Sequence, residues 1–151
     1  MKKILFIVLL FSLSCCSTHK DLLNNSFQLN SEEDKEIIIS LQRTACFGTC
    51  PIYKIEIFSD GSGIYIGTRF VENIGITKFN LSENQLELIL MQAEAIDFAN
   101  MKEEYSEPIS DLPTTFIQIK DKKIKDYTGA PKTLKDLENL IDQLYQEAIK
   151  K

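Results

Sequence analysis

Cys46 and Cys50 stand in a short stretch that joins two strand-like runs: Arg43-Thr44-Ala45-Cys46-Phe47-Gly48-Thr49-Cys50-Pro51-Ile52-Tyr53. They are the only cysteines beyond residue 16. With Gly48 inside the connection and Pro51 restarting the chain, a tight turn is expected, and the flanking runs become the first two strands of one sheet. In an exported protein the simplest state of such a pair is a disulfide. Closing so small a loop contributes about 2 kcal/mol on the chain-entropy estimate. Phe47 is then pushed outward at the loop tip or folded over the sheet edge.

Ile37, Ile38, Ile39 and Leu41 form a β-branched run before the turn. After it, Tyr53, Ile55 and Ile57 alternate with Lys54 and Glu56, the period of a half-buried strand. Ser59, Asp60, Gly61, Ser62 and Gly63 supply hairpin chemistry, so a return strand is expected over residues 64–71 and a further one over 74–81. Ser82 with Gln85 three residues on is a capping-box pattern, and Leu86, Ile89, Leu90, Ala93 and Ile96 share one helical face. Residues 100–113, with Pro108 and Pro113, read as a long loop. A strand pair over 114–120 and 124–127, turned at 121–123, precedes a second helix capped at or near Thr133. That helix carries Leu134, Leu137, Ile141, Leu144, Tyr145 and Ala148 on one side. Strands arriving in hairpins, in the order β-β-β-β-α-β-β-α, predict an α+β fold: a mainly antiparallel sheet with both helices packed on one face.

At 151 residues, 44% hydrophobic and 26% charged, the chain suffices for one compact domain and is short for two. Residues 1–14 read as a signal peptide, because Lys2 and Lys3 precede an apolar run over 4–11 that falls well short of the roughly 20 residues needed to cross a bilayer. The run ends in Phe11-Ser12-Leu13-Ser14-Cys15-Cys16-Ser17, which resembles the lipobox of bacterial lipoproteins. The resemblance implies lipidation of Cys15, preceded by Ser14, or alternatively of Cys16, three residues after Leu13. Two or more acyl chains, at about 0.8 kcal/mol per buried methylene, anchor a protein stably. Residues 15–35 are then the lipidated N-terminus and a polar tether, about 25 Å in r.m.s. span if flexible; the alternative is that Leu22, Leu23, Phe27 and Leu29 dock on the domain. The domain occupies residues 36–151. Cys or Ser, not Asp, after the lipidated cysteine is similar to lipoproteins sorted to the periplasmic face of the outer membrane.

The stretch from Ile37 to Val71, with Cys46-Phe47-Gly48-Thr49-Cys50-Pro51-Ile52-Tyr53 and the later Asp60-Gly61 hairpin, resembles an uncharacterised domain family of bacterial exported lipoproteins with the pattern Cys-x-Gly-x-Cys-Pro-x-Tyr. Asp111-Leu112-Pro113-Thr114 also looks like a feature of that family. The resemblance covers about residues 36–148 and implies one domain of unknown activity.

Other readings of Cys46 and Cys50 compete with the staple. Cys-x-x-x-Cys-Pro resembles the motif of thioredoxin-like copper chaperones, which implies two thiolates, a distant histidine ligand and a following helix. Here the one histidine is His19, in the tether, and a strand pattern follows. Structural zinc needs four ligands, and disulfide exchange needs a neighbouring base or cation, for which only Arg43 is at hand.

With no histidine in residues 36–151, Ser-His-Asp and Cys-His pairs cannot form. No glycine-rich phosphate loop leads into a helix. No catalytic residue, metal or cofactor is therefore assigned. The formal charge is -5, and removal of residues 1–14 takes away two lysines and no acid, leaving -7. With only Arg43 and Arg69 as arginines, nucleic acid is not an expected partner. The expected function is a lipid-anchored, non-catalytic binding domain of the cell envelope, its partner an envelope protein or small ligand; the alternative is a thiol-redox or metal-handling protein using Cys46 and Cys50. Arg43, Phe47, Tyr53 and Asp111 form the candidate binding surface. Arginine beside a rigid turn clamps carboxylates, although an internal ion pair between Arg43 and Asp111 would employ the same residue structurally.

Overall fold

The computed structural model describes residues 35–109 and 111–150. The expected signal peptide, Cys15, Cys16 and all of the expected tether except Lys35 lie outside the described residues. Strands β1 (Ile37–Arg43), β2 (Ile52–Phe58), β3 (Ser62–Arg69) and β4 (Gly75–Asn80) form an antiparallel meander, followed by helix α1 (Glu83–Ala95). A 3₁₀ turn (Phe98–Asn100), β5 (Glu104–Tyr105), β6 (Thr115–Ile119), β7 (Lys122–Asp126) and helix α2 (Lys132–Ile149) complete the domain. The sheet order is β4-β3-β2-β1-β6-β7-β5. Neighbours among the described residues are antiparallel except β5 and β7. This is the expected α+β fold, with β5 a two-residue addition inside the segment read as loop.

Local chemistry explains most of the boundaries. Gly61, at φ 81°, turns the β2–β3 hairpin while the Asp60 carboxylate accepts from the Ser62 amide at 2.9 Å. Ser82 caps α1, and Gln85 returns the bond to the Ser82 amide, completing the capping box. α2 begins one residue before the expected cap: Pro131 stands at the N-cap without a side-chain hydrogen bond, its ring holding the entry angle. The β6–β7 turn is also tighter than expected. It falls at Lys120 and Asp121, with Lys120 in the left-handed region, so that Lys122 already pairs with Ile119.

One face of the sheet and both helices share a single core. Ile39, Leu41, Ile55, Ile117 and Ile124 from the strands, Ile89 from α1, and Leu134, Leu137 and Ile141 from α2 are all fully buried. Each such side chain contributes about 1.5–3 kcal/mol. Chain order and spatial order differ where it matters: α1 carries the chain from edge strand β4 past the meander, so that β6 can pair with β1 at the centre.

The Cys46–Cys50 disulfide is formed, with its Cα atoms 5.7 Å apart. Beside it the Thr44 hydroxyl accepts from the Thr114 amide at 3.0 Å and donates to the Thr114 carbonyl at 3.1 Å, tying the loop to β6. Replacing both cysteines by serine is expected to lower stability by about 2 kcal/mol. An unchanged urea midpoint would mean that the Thr44 ties hold the loop unaided.

Candidate functional site

Strand register places five inward-facing positions in one lateral row at the end of the sheet next to the disulfide loop. Tyr53 pairs with Gly67 on one side and Arg43 on the other, Arg43 with Thr115, and Thr115 with Asp126. One step towards the middle of the sheet, the parallel row is Tyr65, Ile55, Leu41, Ile117 and Ile124, all buried. The polar row thus closes one end of an apolar core. α2 answers it with Lys135, Glu138 and Asp142, spaced three and four residues apart and so on one side of the helix.

Arg43 is the centre of this junction. Its Nη2 donates to Asp142 Oδ2 at 2.7 Å, its Nη1 to Thr115 Oγ1 at 3.0 Å and to Glu138 Oε2 at 3.5 Å, and its Nε to Tyr53 Oη at 2.8 Å. Tyr53 in turn donates to Asp142 Oδ1 at 2.6 Å. Burial opposes the charge on Arg43, but Asp142, Tyr53 and Glu138 more than offset it, so the guanidinium is held more firmly protonated than usual. Burial, then the Asp142 carboxylate, pushes the Tyr53 phenol above its ordinary value, with Arg43 pulling the other way.

Beyond Arg43 lie two fully buried acids. Asp126 forms an ion pair with Lys135, and Glu138, 1% exposed, faces Asp126. Burial first, and the neighbouring Asp126 second, raise the Glu138 carboxyl to about 7; Lys135 and Arg43 offset part of this. Neither Asp126 oxygen nor Glu138 Oε1 has a well-formed hydrogen bond, and the cation against Asp126 is that of Lys135. A carboxyl raised in this way suits acid–base chemistry elsewhere, but here Glu138 is closed to solvent.

On the other side of Tyr53 a cavity of about 250 Å³ opens between the sheet, α2 and the β3–β4 loop. Tyr65 stacks on Tyr145 with centroids 4.3 Å apart, and Tyr53 lies 5.5 Å from Tyr65, tilted by 30°. Burial, followed by Tyr145 and Asp142, pushes the Tyr65 phenol to about 12; burial and then Glu72 raise that of Tyr145, with Asn73 opposing. Gly67 makes the cavity's loop possible: a Cβ there would overlap the Asn73 carbonyl, so only glycine lets residues 70–74 fold over the sheet end.

The four residues expected as a binding surface all lie at this end of the sheet, but they divide. Arg43 and Tyr53 are cross-strand partners turned inward. Phe47 is 89% exposed at the loop tip, and its amide donates to the carbonyl of exposed Asp111 at 3.3 Å. The expected pairing of Arg43 with Asp111 is replaced by pairing with Asp142 and Glu138, because β1 aims Arg43 at the helix-covered face. The carboxylate that Arg43 clamps is its own chain's.

Thr115, Asp126, Lys135, Glu138 and Asp142 were not singled out from the sequence. Glu138 carried a readable signal: it lies four residues after Leu134 and three before Ile141, on the apolar stripe of α2, where an isolated carboxylate demands a partner. Asp126 likewise follows Ile124 at strand period. Asp142 has no such mark, and only the packing of α2 on β1 finds it.

The profile of one family, a domain of unknown function (DUF6438), matches residues 37–145. No curated protein and no solved structure matches the chain.

Proposed function

We propose, for a chain that belongs to the DUF6438 domain family, a lipid-anchored envelope protein whose domain performs no chemistry and binds another envelope component through the disulfide-bearing end of its sheet. The observation that carries this reading is the distribution of exposed apolar side chains. Of the nine large hydrophobic residues exposed among the described residues, five occupy loops at this one end: Phe47, Phe70, Ile74, Ile109 and Leu112. Such a concentration marks an interaction surface, whereas scattered single residues do not.

The loops are also held in place. The disulfide closes the Phe47 loop, and the Tyr127 hydroxyl donates to Ile109 and accepts from the Leu112 amide. A rigid aromatic anchor loses little conformational entropy on binding. The anchor would lie in the Cys15 or Cys16 lipid, and β1 begins at the opposite end of the sheet, near Asp60, to which Lys35 is paired at 2.8 Å. Among the described residues no helix is long and apolar enough to cross a membrane.

The thiol-redox or metal-handling alternative has weaker support, since Cys50 leads into β2 and no helix N-terminus lies there to lower a thiol pKa. Retention of one disulfide per chain under mild reductant would count against it.

Phe47→Ala is expected to leave folding stability within about 0.5 kcal/mol, as for other exposed positions, while lowering the recovery of a partner from chemically crosslinked envelopes. Recovery of the same crosslinked species at full yield would remove this surface from consideration.

A further inference from the structure

A second cavity, of about 560 Å³, opens between α1, the 3₁₀ turn and the β6–β7 turn. It lies at the end of the sheet away from the disulfide, since the Lys120 amide on its lip donates to the Ile38 carbonyl at the start of β1. Its floor is apolar, with Ala93, Phe98 and Ile119 buried and Leu90 half-buried. One wall is the face of α1 that carries Glu87, Met91 and Glu94, spaced four and three residues apart and so neighbours on the helix surface. Asp97 and Lys120, at φ 56° and 52°, stand on the two lips in left-handed conformations, which persist only where the surrounding structure fixes them.

The charge on the α1 wall is unbalanced. α1 holds three acids, Glu83, Glu87 and Glu94, and no base. Glu83 and Glu87, four residues apart, repel one another along the helix. Glu94 and Asp97 lie against the carbonyl end of α1, where a cation is favoured and the last turn has none. The chain does little to offset this. Glu87 and Glu94 make no ion pair among the described residues, Asp97 accepts from the neutral Asn100 amide at 2.8 Å, and Lys122 is turned to Glu103 at 3.6 Å. Lys120 stands on the opposite lip, so a guest's bases belong on the α1 side.

Beside the cavity α1 leaves Leu88 46% and Met91 59% exposed, three residues apart. A small molecule filling the cavity would leave Leu88 wet, whereas a helix laid along α1 covers both. Methionine adapts its shape to such a partner. From Glu87 to Glu94 α1 rises about 10.5 Å, two turns, the repeat at which a facing helix presents bases on either side of its apolar anchors. We propose that this groove docks an amphipathic helix of a partner protein, its apolar stripe seated on Leu88, Met91 and the cavity floor and its lysine or arginine side chains set against Glu87, Glu94 and the carbonyl end of α1. The groove is separate from the disulfide end, and a surface at each end of one sheet lets the domain bridge two components.

The test is a fluorescence-anisotropy titration of a labelled synthetic helix with the purified full chain. The helix has about five turns, leucine along one face and lysine along the other. A counterpart with glutamate for lysine, and a scrambled peptide of the lysine composition, run beside it. The lysine helix is expected to bind at least about tenfold more tightly than either, the combined effect of several partly exposed ion pairs and one apolar face. Met91→Glu should abolish binding. Glu94→Gln should weaken it severalfold while leaving the thermal midpoint equal or higher, since an acid leaves the carbonyl end of α1. Glu72→Gln makes the same change of charge at the other end of the sheet and must leave the affinity unaltered. Equal affinity for the scrambled peptide, or equal losses in Glu94→Gln and Glu72→Gln, overturns the proposal, because binding is then a general attraction of cations to an acidic chain. Self-association of the chain that Met91→Glu removes overturns it too, and gives the groove to a second copy. Loss of the crosslinked partner in Phe47→Ala and loss of the helix in Met91→Glu report separately on the two surfaces.

Discussion

Replacing Arg43 by methionine is expected to lower folding stability by about 3–5 kcal/mol, the penalty for removing one partner of a buried ion pair. The loss is large because it strands several groups at once. Asp142, Glu138, Thr115 and Tyr53 all receive hydrogen bonds from this one guanidinium. The side chains of Arg43 and Asp142 are 21% and 26% exposed, shielded enough that water replaces little of the interaction. Arg43→Lys is expected to recover only part of the loss, since an ammonium cannot span Asp142, Thr115 and Tyr53 in one plane. Exchanging Arg43 for methionine and Asp142 for leucine together should cost less than Arg43→Met alone, because the stranded charge is removed. Urea unfolding with an unchanged slope is the measurement. A change below about 1 kcal/mol for Arg43→Met would place the junction among ordinary surface ion pairs.

Stability is also expected to fall as pH rises from about 4.5 to about 7, by on the order of 3 kcal/mol. The Glu138 carboxyl is raised from 4.5 to about 7 in the folded protein, so within that window the native state binds more protons than the unfolded chain. Its stabilising contribution is complete below the unfolded value and is lost as pH climbs through the folded one. Asp126 from β7 drives the effect together with burial, while Lys135 from α2 and Arg43 from β1 restrain it; Asp142, the other acid of α2 in the junction, is paired with Arg43. Asp60, held below the usual range by Lys35 and Ser62, has the opposite sign, but its window lies below about 3.8 and does not overlap. Glu138→Gln should flatten the profile between pH 4.5 and 7, because an amide can donate to Asp126 at every pH. A slope unchanged by that substitution would assign the proton elsewhere.

Much of the scaffold was legible because its causes are local. Alternation marks β2, the Ser82 and Gln85 capping box marks α1, and the stripe from Leu134 to Ala148 marks α2. Turn chemistry at Asp60 and Gly61 placed the β2–β3 hairpin. Boundaries slipped where chemistry is ambiguous. Lys120 is an unusual residue for a left-handed turn position, and the pairing of Lys122 with Ile119 gains more than its strain costs. The two-residue β5 has too little sequence to carry a period, and it exists because β7 offers it an open edge.

The junction was legible only in fragments. Arg43 and Tyr53, ten positions apart on neighbouring strands, could be selected together. The partner that defines both is Asp142, 99 positions from Arg43, and it reaches them because β6 inserts beside β1 while α2 crosses the same face. By itself the sequence determined the elements, their hairpin order and the stapled loop, all of which depend on contacts within a few residues. Tertiary structure alone decided that Arg43 looks inward to Asp142 and Glu138, that Glu138 and Asp126 face each other in the core, and that three tyrosines wall a cavity. Those are consequences of which strands become neighbours, and strand order is set by burial of the whole apolar face, a sum over the entire chain that no local stretch encodes.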